Sequence, residues 1–169
     1  MSSPGLSYRS EIDGLRAVAV LPVILFHAGL QWVPGGYVGV DIFFVISGFL
    51  ITGILMRELE ADQFSILNFY ERRARRILPA LFFVMTVTAI LAAIFMLPYE
   101  LRDFARSMIA VITFVSNFFF WSEADYFATA AERLPLLHTW SLSVEEQFYI
   151  LFPVVLWLFW KYWRGGLVS

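Results

Sequence analysis

Residues 13–30 read DGLRAVAVLPVILFHAGL, an apolar run with no charge between Arg16 and His27 and long enough to be most of a membrane span. Eleven positions separate the two residues. At about 100° per residue the second lies about 20° past three full turns, so both side chains leave one helix face. A rise of ~1.5 Å per residue sets them ~16 Å apart along the axis, about half the hydrocarbon core. A cation near one membrane surface and a titratable imidazole deeper in the span are costly there and point to function.

The composition agrees with a membrane setting. Hydrophobic types make up 60% of the 169 residues, charged types 15%, and the mean hydropathy is +0.72. Soluble domains carry about 25% charged residues. No soluble core of this size would bury 18 phenylalanines, so the bilayer is the better solvent. The formal net charge of −2 decides little, because topology depends on where Lys and Arg stand. Cysteine is absent, which excludes disulfides, thiolate metal sites and a cysteine nucleophile. Two histidines leave little material for a metal site, so no metal is expected, and nucleic acid is not an expected partner. The polar, acidic N-terminus MSSPGLSYRSEIDGL lacks the apolar core of a cleaved signal peptide, so the first span is expected to be retained.

Five apolar segments follow one another at residues 14–30, 38–56, 77–97, 104–121 and 139–160. Each is close to the ~20 residues a spanning helix needs, and open sheets cannot satisfy their backbone in lipid. The expected fold is therefore all-α, a polytopic transmembrane helical bundle. With the N-terminus inside, Arg9, Arg57, Arg72, Arg73, Arg75, Arg76 and Arg133 fall on the cytoplasmic side. Arg102, Arg106, Lys161 and Arg164 fall outside, so the positive-inside tendency favours a cytoplasmic N-terminus. Arg16 then lies near the cytoplasmic surface and His27 toward the outer leaflet. An odd span number, with nothing after the fifth to close a bundle, leads us to expect that residues 1–169 are the N-terminal part of a longer domain.

Several polar residues inside these segments are candidates for chemistry. The short QWVPGGY link places His27 and Asp41 at matched depth in the first two spans, where pairing would relieve the cost of both. A carboxylate on one imidazole nitrogen would fix the tautomer and leave the other as a general base. The same contact would equally serve to hold two helices together. The second segment, GVDIFFVISGFLITG, adds Ser47 and Thr52, and its glycines at 39, 48 and 53 permit close helix approach. The arginines of FYERRARRILP are ordinary topology determinants on one reading and a phosphate site on another. The surrounding FSILNFYERRARRIL mixes apolar and basic residues as an interfacial helix would. Finally, LLHTWSLSVEEQFYILFP brings His138, Glu145 and Glu146 to the fifth segment. The two acids point about 100° apart and so meet different surroundings.

DGLRAVAVLPVILFHAG, GGYVGVDIFFVISGFLIT, FYERRARRILP and LLHTWSLSVEEQFYILFP occur in the order of the motifs of the acyltransferase family 3 membrane proteins, which the chain resembles over nearly its whole length. Arg16 and His27 match that family's arginine–ten residues–histidine pattern. Arg73 and Arg76 match its arginine–two residues–arginine pattern, and Glu145 matches the acid of its Val-Glu-x-Gln-Phe-Tyr pattern. The resemblance implies transfer of an acyl group, commonly acetyl, from cytoplasmic acyl-CoA to a hydroxyl of a cell-surface or exported glycan. It also implies a bacterial inner or plasma membrane, roughly ten spans in the whole protein, and members that carry a fused extracytoplasmic esterase-like domain.

Joined to that resemblance, the residues suggest division of labour along the membrane normal. Arg16, Arg73 and Arg76 would hold CoA near the cytoplasmic face. His27, oriented by Asp41, would act as base or as acyl-histidine nucleophile, with Glu145 as a third catalytic residue and His138 and Ser47 as other candidates. A proton- or solute-coupled transporter would use the same intramembrane His, Asp and Glu residues as a relay. No inverted repeat supports it. A noncatalytic assembly or sensory module is the third possibility.

Overall fold

Apolar runs of span length become helices here, and in two of them charges or a helix stop shorten the uninterrupted apolar stretch. The computed structural model describes residues 10–28, 35–124 and 134–167. Two charges of the topology count, Arg9 and Arg133, lie outside them, as do positions 29–34 and 125–133 in the connections. Helices α1 (Ser10–His27), α2 (Gly39–Glu60), α3 (Ile66–Phe95), α4 (Pro98–Ile112), α5 (Ser116–Ala124) and α6 (Thr139–Leu167) follow in order, with a short 3₁₀ turn at Gly36–Val38 before α2. No strand occurs among the described residues. Among the described residues, three helical stretches are long and apolar enough to cross a membrane: Gly36–Glu60, Ile66–Phe95 and Thr139–Tyr162.

The other two expected spans differ for identifiable reasons. Helix α1 opens with Glu11, Asp13 and Arg16, so charges occupy its first two turns and only the remainder is apolar. The fourth segment is broken into α4 and α5. Phe114 adopts a left-handed backbone with φ 53°, its amide donates to the Val111 carbonyl at 3.1 Å, and the Val115 amide donates to Ala110 at 2.8 Å. That pair of bonds is the helix stop usually built on glycine. A phenylalanine in this conformation costs about 1 kcal/mol or more. No glycine or proline marks the site, so the sequence gives no warning of it.

The chain divides into two units, Met1–Glu60 and Ala61–Ser169. In the first, α1 and the start of α2 pack backbone to backbone. A Cβ added to Gly36 would stand 2.2 Å from the Pro22 carbonyl oxygen, and one added to Gly39 would stand 2.0 Å from that of Ala19. Both positions therefore require glycine. Gly48 and Gly53 have nothing within 4 Å of the equivalent position, so the close approach belongs to Gly39 at the start of α2 and to Gly36 in the turn before it.

In the second unit, Ser65 caps α3, its hydroxyl accepting from the Asn68 amide at 3.4 Å. The helix then runs through the arginine motif and past Pro79 without interruption. The basic stretch is thus the first part of a spanning helix, not a separate interfacial one. At the far end the Leu97 amide donates to Glu100 at 2.8 Å, and Pro98 starts α4, where its missing N–H costs nothing. Leu81, Met85, Ala92, Phe104, Val111, Phe120 and Leu136 form the buried cluster that joins α3, α4 and α5 to the turn before α6.

Candidate active site

In the first unit, α1 carries Arg16 and His27 as the sequence spacing requires. The His27 Nδ1 lies 2.8 Å from the Val23 carbonyl oxygen of its own helix. A carbonyl only accepts, so Nδ1 carries the proton and Nε2 of the neutral ring is left with its lone pair. The side chain is exposed, and the Phe26 ring packs edge-on against it at 5.4 Å. Asp41 is also exposed and makes no hydrogen bond or ion pair among the described residues. The expected His27–Asp41 contact is not made, and the Val23 carbonyl does the orienting that was expected of Asp41. Arg16 stands 3.9 Å from Asp13 and 5.4 Å from the centre of the Phe43 ring on α2, and Ser47 is buried on α2.

Helix α6 carries two polar stripes. On one, Thr139, Ser143 and Gln147 recur every fourth residue and meet the α4–α5 break. The Ser116 and Ser143 hydroxyls lie 2.7 Å apart, and the Ser116 amide donates to Ser143 at 3.3 Å. Thr139 donates to Ser116 at 3.2 Å, while the Gln147 amide nitrogen donates to the Phe114 carbonyl at 2.7 Å and to Asn117 at 2.9 Å. These bonds satisfy polar groups buried in an apolar helix and hold Phe114 in its unfavourable conformation.

The other stripe faces α3. Arg73 donates from Nη2 to Glu146 at 3.2 Å, with side chains only 16% and 10% exposed. Its guanidinium carbon sits 3.7 Å from the centre of the Tyr149 ring, a close cation–π stack. The Tyr149 hydroxyl in turn donates to Glu145, and Tyr70 donates to the Ile150 carbonyl at 2.6 Å, near the proline at 153. The Arg73 Nε is buried and has no partner among the described residues. Arg75 pairs at the surface with Glu71 at 2.7 Å, and Arg76 is exposed without a partner among the described residues.

Thus the structure joins Arg73 to Glu146, an acid that sequence reasoning left out of the site, and ties Glu145 to its own helix neighbour. Arg16 and His27 belong to the first unit, while Arg73, Arg76, Glu145 and the exposed His138 belong to the second. Ser116, Ser143 and Gln147 were also missed, although the four-residue spacing of Thr139, Ser143 and Gln147 was a visible polar stripe. No cluster of ligating side chains suited to a metal occurs among the described residues.

These motif residues occur in one continuous match, since the family model for an acyltransferase domain covers residues 9–169. The chain belongs to this acyltransferase family. It is 45% identical over 151 residues to the O-acetyltransferase OatA of Staphylococcus aureus (strain NCTC 8325 / PS 47), covering 88% of this chain and 25% of that protein. It is 42% identical over 157 residues to the peptidoglycan O-acetyltransferase OatA of Listeria monocytogenes, covering 92% of this chain and 25% of that protein. The chain therefore spans about a quarter of the length of these curated relatives. No solved structure matches it. Helices apolar enough to span a membrane and membership of this family together support an integral membrane protein.

Proposed function

We propose that the protein is a membrane O-acetyltransferase that moves an acetyl group from cytoplasmic acetyl-CoA to a hydroxyl of a cell-wall glycan, with its N-terminus in the cytoplasm. The relatives' names support an O-acetyl product and, for the Listeria protein, a peptidoglycan acceptor. The observation that carries the chemistry is the His27 ring, whose Nδ1–H is committed to Val23 and whose Nε2 is open. In the proposed step the acceptor hydroxyl gives its proton to Nε2 while its oxygen attacks the thioester carbonyl. The C–S bond then breaks and the CoA thiolate leaves. Arg16, a few helical turns toward the cytoplasm on the same face, supplies positive charge along the donor's path.

The test uses the full-length protein in membranes. His27→Gln keeps a hydrogen-bonding side chain but cannot accept the reaction proton. Transfer from acetyl-CoA should fall by ~10²–10⁴ while donor binding persists. Near-normal transfer by a correctly inserted Gln variant would remove His27 from the chemistry.

A further inference from the structure

We propose that the two arginines of the R-x-x-R motif do different jobs: Arg73 is an internal strut that positions α3 against α6, and Arg76 alone of the pair engages a phosphate of the acyl donor. This rests on the acyl-CoA reading above and deepens it. Arg73 has little left to offer a ligand. One guanidinium nitrogen is spent on Glu146 at 3.2 Å, one face is covered by Tyr149 at 3.7 Å, and Nε is buried. Its charge is balanced by Glu146, which is itself buried. Removing either partner of such a pair strands the other charge in an apolar setting.

Arg76 differs in each respect. One helical turn further on, it is exposed and lacks any carboxylate among the described residues. Its neighbours Arg75 and Glu71 neutralise each other at 2.7 Å. The full fork of Arg76 is therefore available for a phosphate, whose geometry and charge suit guanidinium best. The motif's two arginines lie about 60° apart around the helix and one turn apart along it, so they share a broad face on which Arg73 is packed against Glu146 and Arg76 is left exposed.

The experiment measures acetyl-CoA affinity and thermal stability of the full-length membrane protein. Arg76→Gln should weaken acetyl-CoA binding about tenfold to a hundredfold, as loss of a hydrogen bond between charged partners does, with stability unchanged. Arg73→Met and Glu146→Met should each lose stability, and the double variant should recover it, because an apolar pair replaces an ion pair without stranding a charge. The double variant should also bind acetyl-CoA with near wild-type affinity. Arg73→Lys, which still neutralises Glu146, is a second arm should the double variant fold poorly, and it too should keep the affinity. A stable double variant or Arg73→Lys protein that binds acetyl-CoA tenfold more weakly would show that Arg73 touches the donor and overturn the strut. Unchanged affinity in Arg76→Gln would overturn the phosphate contact. If the wild-type protein ignores acetyl-CoA, the acyl-CoA reading fails together with the role of Arg76, while the strut is still decided by the stability series.

Discussion

Substituting Gly39 by alanine is the sharpest perturbation of the first unit. The added Cβ would meet the Ala19 carbonyl oxygen at 2.0 Å and the Val23 Cγ2 at 2.8 Å, whereas real contacts of this kind essentially never fall below 3.0 Å. The helices must therefore part by an ångström or more. The obstacle is backbone, so no rotamer change relieves it, and the cost lies at the upper end of overpacking, about 3 kcal/mol. Alanine recovers about 1 kcal/mol of helix propensity over glycine, which leaves a net loss of about 2 kcal/mol. Gly48→Ala supplies the control. Nothing stands within 4 Å of its new methyl, so it should be neutral or gain up to about 1 kcal/mol. The assay is thermal inactivation of the two full-length variants side by side, with transfer measured on what survives. Displacing Val23 also disturbs the carbonyl that holds His27, so Gly39→Ala should lose turnover as well as stability. Equal stability of the two variants would refute the backbone contact.

Two further outcomes test the α6 stripes. Ser143→Ala removes the acceptor for the Ser116 amide and the hydroxyl that bonds the Ser116 hydroxyl, and one stranded buried donor should cost about 1–3 kcal/mol in thermal or denaturant unfolding. Tyr149→Phe deletes only the hydroxyl that Glu145 accepts from, and with the ring still under Arg73 it should cost about 1 kcal/mol. Tyr149→Leu, which removes the stack too, should cost visibly more in the same assay.

Much of this architecture was legible because hydrophobic length is a blunt and faithful reporter. The expected segments 38–56 and 139–160 fall almost wholly within α2 and α6. The segment at 77–97 was underestimated because charged side chains mask helix continuity, although Ser65 is an ordinary cap well before the arginines. The break at Phe114 was illegible for a different reason. Its conformation is imposed by Gln147 and by core packing from residues far along the chain, and local preference argues against it. At the candidate site, the shared face of Arg16 and His27 follows from spacing alone. The match of Arg73 to Glu146, not Glu145, depends on which face of α6 meets α3, and no single-segment pattern contains that.

The placement of the His27 proton has a bearing on how this part of the molecule originates. The acceptor is four residues away in the same helix, so one closed turn is enough to decide which nitrogen stays basic. Nothing that folds later, in this chain or beyond it, has to be present for that decision. A nascent α1 would carry the correct tautomer as soon as its last turn forms, and α1 grafted into another member of the family would bring that chemistry along. The base is in this sense a portable part, specified within a single turn and handed to whatever assembly surrounds it.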